Sequence, residues 1–94
     1  MARAVIPRDP SAKDAAVRDR LRRVEGQLGG IVRMIDEGRG CEDVVTQLMA
    51  VRAAVDRAAA EVVSAHVDEC VRTLSRPRAQ SAVRDAISLL ARLP

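Results

Sequence analysis

The stretch CEDVVTQLMAVRAAVDRAAAEVVSAHVDECVRTLS, residues 41–75, decides the fold. Residues 42–75 contain no Gly or Pro, the two residues least compatible with a helix interior. Val44, Leu48, Val51, Val55, Ala58, Val62 and Ala65 recur at 4-3 spacing, which lines one face of a helix. Val45, Met49, Arg52, Asp56, Ala59, Val63, His66 and Cys70 form a second seam. The pattern predicts one helix over 42–75, about nine turns and ~50 Å long at 1.5 Å per residue. No single neighbour in so short a chain covers that length. One face is therefore expected to pack within the protomer and the other against a second chain.

Reading outward, Arg76-Pro77-Arg78 is expected to end this helix, and a third, shorter one to run over 79–92 with Val83, Ile87 and Leu90 inward. On the other side, Gly38-Arg39-Gly40 is a stop. Before it Val17, Leu21, Val24, Leu28, Ile31 and Ile35 recur at 4-3 spacing, predicting a first helix over 11–37. Ser11 fits its N-cap, with Asp14 as an acid in the first turn. Gly26, Gly29 and Gly30 interrupt the seam, and close packing against another helix is the reading we favour for them. Residues 1–10 carry two prolines and no period, as a flexible basic arm would. The expected fold class is all-α, a three-helix protomer with one long central helix, forming a single domain over 11–94.

Composition agrees. The 94 residues include 45 apolar ones, of which 16 are Ala, 13 are Val and none is aromatic. A chain this short without aromatics buries only a thin core, so folding as an oligomer is expected. The lack of aromatics also argues against a stacking platform for single-stranded nucleic acid. No run is apolar enough to span a membrane, and no secretory signal is evident at the N-terminus, so a reducing cytoplasm is the expected location. There Cys41 and Cys70 suit ligands or reactive thiols better than a structural bridge. No Gly-rich phosphate loop or nucleophile motif suggests an enzyme.

His66 and Cys70 lie at i and i+4, neighbours on one helix face, where a thiolate and an imidazole can chelate one metal ion. Cys41 is the natural third ligand, but 25 residues of helix place it about 37 Å from His66. Within an unbroken helix it can only meet the His66–Cys70 pair of another chain. An antiparallel pair of long helices brings this about twice, with a two-fold axis near Val55. Two thiolates and one imidazole suit Cu(I), whereas zinc usually wants a fourth ligand. Alternatives stand beside this. Free Cys is often a small buried hydrophobe, and two thiols meeting across a dimer could instead form a disulfide or polysulfide.

The net charge is +3, and 15 of the 16 basic residues are Arg. Arg18, Arg20, Arg22 and Arg23 cluster on the first helix, with Arg33, Arg52 and Arg57 extending the basic surface. Arg binds phosphate bidentately, and an oligomer could align such clusters along a duplex. The competing reading is a solvated face paired with Asp19, Glu25, Asp36 and Asp56. No helix-turn-helix pattern is evident.

RLRRVEGQLGGIVRMIDEG (20–38), C-x-D-V-x-x-Q-x-x-A-V (41–51) and H-x-x-x-C (66–70) together resemble the CsoR/RcnR family of bacterial metal-sensing repressors, over about residues 13–75. The Cys41, His66, Cys70 pattern is similar to that of its copper(I) sensors. The resemblance implies antiparallel helix-paired dimers assembled into a disc-like tetramer. It implies a homo-oligomer with intersubunit Cu(I) sites at Cys41, His66 and Cys70, bound to operator double-stranded DNA when metal-free and released by Cu(I). Two family DNA-contact arginines match Arg20 and Arg57; Arg18, Arg22 and Arg23 join them by position and charge. The chain departs from the copper sensors in two places. Gly40 stands where they carry Tyr before the first Cys. Ala86 stands where they carry a Glu that supports the site from behind, or Asp85 if the preceding loop is one residue shorter. The alternatives are a persulfide- or redox-sensing repressor of the same family using Cys41 and Cys70, and a copper-buffering helical oligomer.

Overall fold

A computed structural model describes residues 12–92. The flexible arm expected over 1–10 and the N-cap at Ser11 lie outside these residues. The chain forms three helices, α1 (Ala12–Asp36), α2 (Cys41–Thr73) and α3 (Arg76–Leu90), with no strand among the described residues. α1 packs along the first part of α2 and α3 along its end; α1 and α3 do not pack on each other. The protomer is rod-like, 55 × 26 × 19 Å, with a radius of gyration of 17.2 Å. A compact chain of this size would have about 12–13 Å.

Each boundary has a local cause. At the end of α1, Gly38 adopts φ +72°, a left-handed conformation natural to Gly. There the Gly38 N–H donates to the Ile35 carbonyl at 3.1 Å and the Arg39 N–H to the Met34 carbonyl at 2.9 Å, satisfying carbonyls the helix leaves open. α2 starts at Cys41 with Gly40 as a cap that has no side-chain hydrogen bond. Glu42 and Asp43 in its first turn and Arg72 in its last complement the helix dipole. Its 33 residues are unbroken.

The third helix starts earlier than the sequence suggests. Arg76-Pro77-Arg78 opens α3 rather than separating it from α2. Pro is accommodated in a first turn because the N–H it lacks would have no intrahelical partner there. Only Leu74 and Ser75 separate the two helices.

The core is thin and selects alternate members of the α1 seam. Val17, Val24 and Ile31 of α1 are buried, whereas Leu21, Leu28 and Ile35 are exposed. Val24, Ile31 and Val51 form the central cluster, with Val44 and Ala54 packed against it. One helix contacting one other covers a stripe narrower than the full 4-3 seam, so every second residue faces outward. On α3 the buried residue is Ala86, while Ile87, expected inward, is 60% exposed. The glycines of α1 also depart from expectation. An added Cβ at Gly26 would meet nothing within 4 Å, and at Gly29 and Gly30 only the Arg33 side chain of the same helix. No close helix approach within the protomer accounts for them.

Candidate metal centre and nucleic-acid face

α2 sets the positions of all three sulfur and imidazole donors. Near its end, His66 Nε2 and Cys70 Sγ lie 3.5 Å apart, as i, i+4 spacing on an unbroken helix requires. A single metal ion with bonds of about 2.0 Å to nitrogen and 2.3 Å to sulfur spans that gap at an angle of roughly 110°. The pair can therefore supply two ligands to one metal ion, with a third needed to complete the set. Cys70 is fully buried and His66 half-buried. Cys41 is exposed at the opposite end of the helix, flanked by an Arg39–Asp43 ion pair at 3.6 Å. No group of three or more His, Cys, Asp or Glu residues is gathered for a metal among the described residues of one chain. The protomer thus brings together two of the three candidate ligands and holds the third apart. Asp85 and Gly40 are exposed, whereas Ala86 is buried on α3. The inward position on α3 carries a methyl group and no polar atom.

The arginines divide into two kinds. Arg18, Arg22 and Arg23 are exposed on α1. Arg20, on the same helix, turns towards α2, where its Nη2 donates to Glu61 Oε1 at 3.0 Å. Arg57 Nε approaches that same oxygen at 3.4 Å. Arg20 and Arg57, far apart in sequence, therefore converge on one carboxylate. The side chains of Arg20 and Glu61 are 24% and 30% exposed, that of Arg57 70%. Arg20 Nε is buried without a hydrogen-bond partner. Glu61 is the site residue that the sequence reading missed. Its i, i+4 relation to Arg57 is visible in the sequence, but its pairing with Arg20 depends on how α1 docks on α2.

Residues 13–92 match the family model described as metal-sensitive transcriptional repressor, and the chain belongs to that family. It is 43% identical over 77 residues to the copper-sensing transcriptional repressor RicR of Mycobacterium tuberculosis, covering 79% of this chain and 80% of that protein. It is 38% identical over 55 residues to the copper-sensing transcriptional repressor CsoR of Bacillus subtilis, covering 58% of this chain and 54% of that one. Among solved structures, the nickel-responsive transcriptional regulator InrS matches with a TM-score of 0.74 at 27% identity, over 92% of this chain and 99% of that chain. These relatives are transcriptional regulators, not enzymes; the two copper-sensing repressors support the copper-sensing branch of the family, and the nickel-responsive one shows that the metal varies within it. No helix among the described residues is long and apolar enough to cross a membrane.

Proposed function

We propose that this chain is a cytoplasmic Cu(I)-responsive repressor that binds operator DNA when metal-free and releases it when copper binds. The observation that carries the reading is the 3.5 Å His66–Cys70 pair at one end of a helix whose other end exposes Cys41. Cys41 of one protomer joins His66 and Cys70 of the partner subunit, giving two sulfurs and one nitrogen, a soft set suited to Cu(I). An antiparallel pairing of two α2 helices supplies this geometry twice. Val45, Leu48, Met49 and Val55 are exposed along α2, and they give such a pairing an apolar face to cover. Pairs of these dimers form the tetramer. Arg20 and Arg57, with Arg18, Arg22 and Arg23, face the DNA phosphates.

Metal acts only by its difference in affinity for two states. Copper must bind the DNA-incompetent arrangement more tightly, and a coupling of about 1–3 kcal/mol is the usual scale. This reading gives the relay no tyrosine, because Gly40 stands there, and on α3 it offers only the buried Ala86 or the exposed Asp85 beside it. The bridge between protomers is then the element left to couple copper to the DNA face.

The test is an anaerobic titration of reduced protein with Cu(I) against a competing chelator, read with the fluorescence anisotropy of a duplex that the protein itself selects from a randomised pool. The account expects one copper per protomer and loss of DNA at that stoichiometry. Copper bound tightly with the duplex still held would overturn the sensor reading. A second reading, thiol sensing through Cys41 and Cys70, is favoured by the exposure of Cys41 alone. It leaves His66, 3.5 Å from Cys70, without a role.

A further inference from the structure

The geometry points to Glu61 as a positioning residue for the DNA face, one that sets sequence discrimination by fixing Arg20 and Arg57 rather than by touching DNA. This rests on the reading that those two arginines meet DNA. Arg57 Nε lies 3.4 Å from Glu61 Oε1 in an ion pair that engages neither Nη group, so both can form the end-on fork that matches a phosphate or a guanine edge. Arg20 gives one Nη2 N–H to the same oxygen at 3.0 Å and has Nε buried, so Nη1 and the second N–H of Nη2 are left to an outside acceptor. One carboxylate oxygen therefore registers two guanidiniums from different helices.

Stability is a weak reason for the Arg57 arm of this arrangement, whereas the Arg20–Glu61 pair, 24% and 30% exposed, also ties α1 to α2. An ion pair in which Arg57 is 70% exposed contributes little to folding, and the carboxylate removes a positive charge from a surface meant for phosphate. What it supplies is order. A free arginine loses much rotamer freedom on binding, and a restrained one loses less. Glu61 thus trades some non-specific attraction for arginines held in register across the α1–α2 interface.

Two variants separate these effects. Glu61→Gln adds one positive charge per chain, whereas Glu61→Asp keeps the charge but shortens the reach. Affinity is measured for the selected duplex and for a scrambled duplex of equal length, with helix content and oligomeric state as controls. In Glu61→Asp, the selected duplex should weaken by roughly tenfold, the scale of losing order at two arginines, while the scrambled one is unchanged. In Glu61→Gln, the selected duplex should weaken and the scrambled one bind as well or better. In an Arg20→Ala/Arg57→Ala background, Glu61→Asp should have no further effect, because Glu61 acts through those two side chains. Unchanged discrimination in Glu61→Asp, or a parallel rise for both duplexes in Glu61→Gln, overturns the inference. Arg20→Ala and Arg57→Ala singly tell the failures apart: if neither weakens binding, the DNA-face reading has failed and this inference with it.

Discussion

Ile31 and Ile35 sit one turn apart on α1, carry the same side chain and have opposite surroundings. Ile31 is 5% exposed and belongs to the central cluster with Val24 and Val51; Ile35 is 59% exposed. Truncating Ile31 to Ala removes about three buried carbons and leaves a cavity. The expected loss is about 3 kcal/mol, within the usual 2–5 kcal/mol for such changes. With a core this thin, that is a large share of the total stability. At a urea slope of about 1 kcal/mol per molar, the unfolding midpoint should fall by roughly 3 M at every protein concentration. Ile35→Ala behaves differently if a second chain covers it. Its effect should be small on the protomer and should instead alter how the midpoint depends on protein concentration. The assay is urea unfolding followed by far-ultraviolet circular dichroism at protein concentrations spanning a hundredfold. A loss under about 0.5 kcal/mol for Ile31→Ala, or equal losses for both variants that ignore concentration, would refute the division of the α1 seam into inner and outer stripes.

Further outcomes follow from other sites. Gly38→Ala should lower the melting temperature, by about 4–8 °C per kcal/mol of destabilisation, because φ +72° strains any residue with a Cβ; an unchanged melting temperature would contradict the left-handed stop of α1. Gly26→Ala should raise protomer stability by about 1 kcal/mol in the same urea assay, since its Cβ meets nothing within 4 Å; a fall would mean that a second chain approaches there. Cys41→Ala should hold the selected duplex at every copper level in the anisotropy titration, and copper-driven release from it would sink the ligand assignment. Arg57→Ala should flatten the salt dependence of duplex binding, with a log–log slope smaller by about 0.9 for each phosphate that Arg57 neutralises; an unchanged slope would place Arg57 off the DNA.

Much of the architecture was legible because the deciding signals are local. The Gly- and Pro-free run of α2, the Gly38 stop and the i, i+4 relation of His66 to Cys70 are all properties of short stretches. What was not legible depended on which face meets which. The 4-3 seam of α1 holds both Ile31 and Ile35, and its period alone does not tell an inner stripe from an outer one. Pro77 serves as well to open a helix as to end one, and the choice turned on α3 packing directly onto the end of α2. On α3 the period admits either Ile87 or Ala86 inward, and docking selects the smaller side chain. Glu61 escaped for the same reason: its pairing with Arg20 exists only once α1 lies against α2.

The most direct measurement of the central claim, that copper bridges two protomers and thereby frees the DNA, mixes two inactive variants. Cys41→Ala and Cys70→Ala each lack one ligand in every site of their own homodimer. Refolded together at equal amounts, half of the dimers are mixed, and each of these rebuilds one of its two sites. The account predicts that the mixture recovers about 0.25 copper per protomer under random C2 pairing, with release of the selected duplex recovered in part. Copper binding that stays at zero in a mixture shown to exchange subunits would contradict it, as would full binding by either variant alone.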